Sequence, residues 1–100
     1  MLVGATVLEF GTDWCGYCQA GRPLIDRVLA EHPEVRHINV EDGKGKRLGR
    51  SFGVKLWPTF VFYRDGSEVA RIVRPRDIGE LRDAMAKLVT LQSSEMAAAR

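Results

Sequence analysis

The sequence has only two cysteines in 100 residues, and they stand three positions apart, at Cys15 and Cys18. A disulfide framework stabilises a small secreted fold by closing longer loops, so this spacing excludes one. Long apolar runs are missing as well. Nothing approaches the roughly 20 residues that a helix needs to cross a bilayer. The opening Met1-Leu2-Val3-Gly4 lacks the basic start, long apolar stretch and small-residue cleavage site of a secretory signal. The chain therefore reads as cytoplasmic, with no membrane partner. Charge of one sign is scarce, for the formal net charge is only +2. The densest basic stretch, Lys44, Lys46, Arg47 and Arg50, has no interleaved aromatics. It reads as a solvated loop or helix face, not a nucleic-acid site. Internal repeats and low-complexity tracts are absent.

What is present suits one soluble globular domain over residues 1–100, with 45% apolar and 28% charged residues. A chain of this length buries roughly 60–70% of its unfolded surface. Ala5–Phe10 is a short β-forming run that ends at Gly11. Ile25, Val28 and Leu29 continue a helical spacing from Cys18, predicting a helix over about 15–30 that contains Pro23 and stops before Pro33. Val35–Val40 is a second strand, Asp42–Gly45 a polar loop, and Lys46–Phe52 a short helix capped by Gly53. Thr59–Tyr63 and Glu68–Val73 flank Asp65-Gly66, a strong hairpin signal. Asp77-x-x-Glu80 opens a last helix as a variant capping box, with Ile78, Leu81, Met85 and Leu88 as its core stripe. That core spans about residues 5–88, and 89–100 form a weakly patterned tail. The fold class is α/β: a mixed sheet of about four strands, the first two parallel through a right-handed crossover, flanked by helices.

A C-x-x-C pair in such a chain is either a metal half-site or a redox pair. Zinc takes four ligands, and His32 and His37 lie downstream without paired spacing, so no metal site is assigned. Both histidines read as surface or sheet-edge residues. The strand-to-helix junction places Cys15 where unpaired backbone N–H groups and the helix dipole favour a thiolate. Cys18, one turn later, faces inward. Cys15 is then the nucleophile and Cys18 the resolving thiol, with no cofactor beyond the pair itself. Gly16 relaxes the turn and Trp14 shields one side of the pair.

These residues resemble the thioredoxin superfamily. Trp14-Cys15-Gly16-Tyr17-Cys18 after a strand is similar to its active-site signature, and Pro23 to the proline of its active-site helix. Trp57-Pro58-Thr59 is similar to its cis-proline loop, whose backbone would pair with a bound peptide as an added strand. Glu9, six residues before Cys15, falls where the family carries a buried carboxylate. The resemblance implies that Glu9 is buried with a raised pKa and takes the proton from Cys18. It covers about residues 5–88.

Four departures narrow that reading. Tyr17 replaces the usual proline, and a Gly-Tyr dipeptide also occurs in disulfide isomerases, which leaves a strongly reducing role open. Gln19 stands in place of a lysine, and Gly11 in place of an aromatic residue. Arg74 falls where the family has a glycine on its docking surface, which would favour acidic partners. Only fourteen residues precede Cys15, too few for the first strand and helix of a full thioredoxin. Val35–Val40 is then an uncovered edge, open to weak self-association.

The function expected is thiol–disulfide exchange with protein thiols and disulfides, the pair being recycled by a separate reductase or oxidase. An isomerase or oxidase role, a redox-sensing binding module, and metal held by Cys15 and Cys18 across a dimer are the alternatives. A glutaredoxin fits less well, since Trp57 replaces the residue whose backbone pairs with glutathione there.

Overall fold

In the computed structural model, residues 4–12, 15–42 and 47–98 are described. The Trp14 side chain and most of the Asp42–Gly45 loop, with Lys44 and Lys46, lie outside them. Alternating apolar runs give four strands: β1 (Ala5–Gly11), β2 (Arg36–Glu41), β3 (Thr59–Arg64) and β4 (Ser67–Val73). Helices α1 (Gly16–Ala30), α2 (Arg47–Ser51) and α3 (Ile78–Ala98) connect or follow them. The sheet order is β2-β1-β3-β4, with β1 parallel to β2 and the other pairs antiparallel. The expected mixed sheet is thus present. β1 is interior and buried at every position, whereas β2 is an edge.

Two apolar layers hold the sheet. On one face Val7, Phe60 and Phe62 meet Ile25 and Val28 of α1 and Leu81, Met85 and Leu88 of α3. On the other, Leu8, Phe10 and Val61 meet Phe52 and Val54, with the Phe10 and Phe52 rings 5.4 Å apart. Each fully buried side chain of this kind stabilises the fold by about 1.5–3 kcal/mol. β1 supplies both layers by simple alternation: Val7 and Glu9 point to the first, Leu8 and Phe10 to the second.

Local chemistry sets the boundaries. Asp65 and Gly66 both have positive φ, 47° and 90°, as a two-residue primed turn demands. Glu80 N–H bonds the Asp77 carboxylate at 3.2 Å. The returning Glu80 carboxylate takes the Arg76 N–H at 2.6 Å, one residue before the position a standard capping box uses. The tail predicted after Leu88 is largely a continuation of α3 to Ala98.

Candidate active site

The β1–α1 junction builds the site. Cys15 is the N-cap of α1, with extended backbone at φ −75° and ψ 120°. Its sulfur accepts the Cys18 N–H at 3.3 Å, filling the role that a serine or aspartate oxygen plays at other caps. Both cysteines are free thiols, Cys15 7% exposed and Cys18 wholly buried. A Cβ placed on Gly16 would meet nothing within 4 Å among the described residues.

The two thiols differ in acidity. Burial alone raises Cys15, but several groups outweigh it and hold the thiol below its ordinary value. These are a hydrogen bond from the Cys18 thiol, the Cys18 and Tyr17 backbone N–H groups, and the Arg74 charge. Cys18 is pushed up to about 11, by burial first and then by donating to Cys15, with the Cys15 and Glu9 charges adding to the effect. Cys15 is therefore the more acidic thiol of the two.

Behind Cys18 the strand comes unusually close. A Cβ on Gly11 would sit 2.5 Å from Cys18 Sγ, so the absence of a side chain there makes room for the sulfur. Glu9, two residues earlier on the same face, is 1% exposed. Its carboxylate lies 2.8 Å from His37 Nε2 and 3.5 Å from Arg22 Nε. Pairing of this kind offsets the cost of burying a carboxylate. His37 occupies edge strand β2, as expected of a surface or sheet-edge residue, and its ring is the partner of Glu9. Only the parallel register, which sets Val7 beside His37 and Glu9 beside Asn39, brings the two together. His32 instead pairs with Glu34 at 3.4 Å.

In front of the pair, the Trp57–Pro58 peptide is cis. Pro58 is buried, and Cys15 Sγ lies 4.0 Å from the Trp57 carbonyl oxygen. The Trp57 indole N–H donates to the Asp42 carboxylate at 2.9 Å. Arg74, in the left-handed region at φ 49°, donates from Nε to the Trp57 carbonyl at 2.8 Å. Its guanidinium lies over the Tyr17 ring, 4.1 Å from the centroid. Positive φ at this position explains why glycine would serve there. Tyr17, Leu56 and Val73 are exposed apolar residues, and with Arg74 and Arg76 they line one groove of about 700 Å³. Among the described residues, no group of three His, Cys, Asp or Glu side chains is placed to hold a metal ion.

A family profile for thioredoxin matches residues 3–87. The chain belongs to the thioredoxin family. It is 31% identical over 87 residues to the thioredoxin of Chlamydia muridarum, which covers 87% of this chain and 81% of that protein. It is 62% identical to the reduced form of thioredoxin 2 from Pseudomonas aeruginosa PAO1, at a TM-score of 0.81. That match covers 89% of this chain and 82% of the other. Fasciola hepatica thioredoxin superposes with a TM-score of 0.75 at 29% identity, covering 85% and 81% of the two chains. As a thioredoxin, the chain is a thiol–disulfide oxidoreductase with protein disulfides as its substrate class. Its redox centre is the C-x-x-C pair Cys15 and Cys18.

Proposed function

We propose that Cys15 attacks a substrate disulfide and that Cys18 then attacks the mixed disulfide, releasing reduced product. The observation that carries this reading is the split between the two thiols, one lowered at the helix cap and one raised to about 11 behind it. Attack by Cys15 joins its sulfur to one substrate sulfur and expels the other as a thiolate. Attack by Cys18 forms the Cys15–Cys18 bond and expels the second substrate thiolate. Glu9 receives the Cys18 proton in that second step, a role supported by its burial on the Cys18 side of β1. The Trp57 backbone and Pro58 receive the substrate strand beside Cys15, and Tyr17 and Arg74 form the adjoining surface. A substrate backbone reaching for the Trp57 carbonyl meets Arg74 on the same oxygen, where an acidic side chain on the substrate would pair with the guanidinium.

The thiols need a separate reductase to recycle them, and a reducing compartment such as the cytoplasm suits the absence of any structural disulfide. A second reading has its own support. Stabilising the Cys15 thiolate favours the dithiol state, which raises the reduction potential and suits an isomerase or oxidase. Titration against glutathione separates the two directions.

Turnover of a protein disulfide with dithiothreitol as reductant tests the main reading. Cys15→Ser is expected to be inactive, and Cys18→Ser to stall as a mixed disulfide. Equal turnover by wild type and both variants would end it.

A further inference from the structure

We infer that His37 is a positioning residue that carries the resolving proton between Glu9 and solvent. The inference rests on the proposed roles of Cys18 and Glu9 and extends them to an exit route. Cys18 is wholly buried and Glu9 is 1% exposed, so a proton leaving Cys18 for Glu9 is still inside the protein. Two basic side chains contact the Glu9 carboxylate. Oε1 lies 2.8 Å from His37 Nε2, and the His37 side chain is 29% exposed on edge strand β2. Oε2 faces Arg22 at 3.5 Å, but a guanidinium keeps its protons across the working range and cannot relay them. Imidazole can, because it accepts at one ring nitrogen and releases from the other.

The remaining groups about Glu9 leave His37 in that role. From α1 come Cys18 and Arg22, and from β2 come His37 and Glu41, while β3 presents apolar Phe60 opposite Glu9. A cleft of about 240 Å³ lies alongside, lined by Gly11, Thr12, Arg22, Asn39 and Glu41. Three buried polar atoms in this region, Glu9 Oε2, Thr12 Oγ1 and Arg22 Nε, have no hydrogen-bond partner among the described residues. A cleft with such a lining suits water.

The step balances. Cys18–SH attacks the Cys15–S–S–R bond, the Cys15–Cys18 bond forms, and RS⁻ leaves with the electron pair. The proton passes to the Glu9 carboxylate; His37, in the tautomer that carries its hydrogen on Nδ1, then accepts at Nε2 and releases from Nδ1 to solvent. The reverse path returns a proton to Cys18 when the disulfide is reopened.

The test uses the reduced full chain, 5,5′-dithiobis(2-nitrobenzoate) as the disulfide, and stopped-flow detection of the released chromophore. Attack by Cys15 releases the first equivalent and ring closure by Cys18 the second. In His37→Gln the glutamine still hydrogen-bonds Glu9 but transfers no proton. The first phase is expected to stay within twofold of wild type, and a thermal unfolding midpoint near that of wild type shows that the variant is folded. The second phase is expected to slow about tenfold, below the full effect of a direct acid–base group, and added imidazole is expected to restore it. A second phase within twofold of wild type, or a slowed one that imidazole does not restore, overturns the inference. Loss of the first phase in wild type would instead overturn the reading of Cys15 itself.

Discussion

At the scale of single residues, the chemistry turns on two sulfurs of one type in opposite surroundings. Cys15 receives hydrogen bonds and faces a cation; Cys18 gives a hydrogen bond and faces two anions. Alkylation by iodoacetamide at pH 7 is therefore expected to modify Cys15 alone. The pH at half-maximal rate for Cys15 is expected to lie below the value of about 8.5 usual for a free thiol. A lowered pKa means the thiolate persists as pH falls, until the pH drops through the folded value. Arg74→Gly removes the cation and is expected to move that midpoint upward, while also easing the left-handed backbone. An unchanged midpoint would remove Arg74 from the account. The cysteine pair was legible in its own spacing, and Glu9 and the cis-proline loop through the resemblance to the thioredoxin superfamily. His37, Arg22 and the contact of Gly11 with Cys18 were not. Each depends on strand register or on the depth at which α1 docks, and neither is written in local spacing.

Among the elements, the close approach of β1 to α1 is the tightest constraint on the site. The Gly11 backbone lies where any Cβ would strike the Cys18 sulfur. Gly11→Ala is expected to destabilise the reduced protein by about 1–3 kcal/mol, the usual cost of overpacking. Urea unfolding in dithiothreitol would measure it, and a midpoint equal to wild type would contradict it. Element types were legible because the apolar periods of 2 and 3.6 are clean in this chain. The strand limits came within one residue of those expected. α3 runs beyond its apolar stripe, for residues 89–98 contain neither glycine nor proline to break the helix.

On the scale of the whole molecule, the sheet places its chemistry at one end and an edge strand at one side. β2 presents unpaired backbone groups along that edge, moderated by Arg36, His37 and Glu41. Weak self-association is the expected consequence, seen as a sedimentation coefficient that rises with concentration. A monomer at every concentration would contradict it. The groove of Tyr17, Leu56, Val73, Arg74 and Arg76, with Glu80 also in its lining, sets apolar and charged side chains side by side. These features support the proposed sequence of events, attack by Cys15 followed by resolution by Cys18. Intact mass spectrometry of Cys18→Ser after exposure to an oxidised peptide tests it most directly. The account predicts one peptide attached at Cys15 and removed by dithiothreitol; no adduct, or the same adduct on Cys15→Ser, would contradict it.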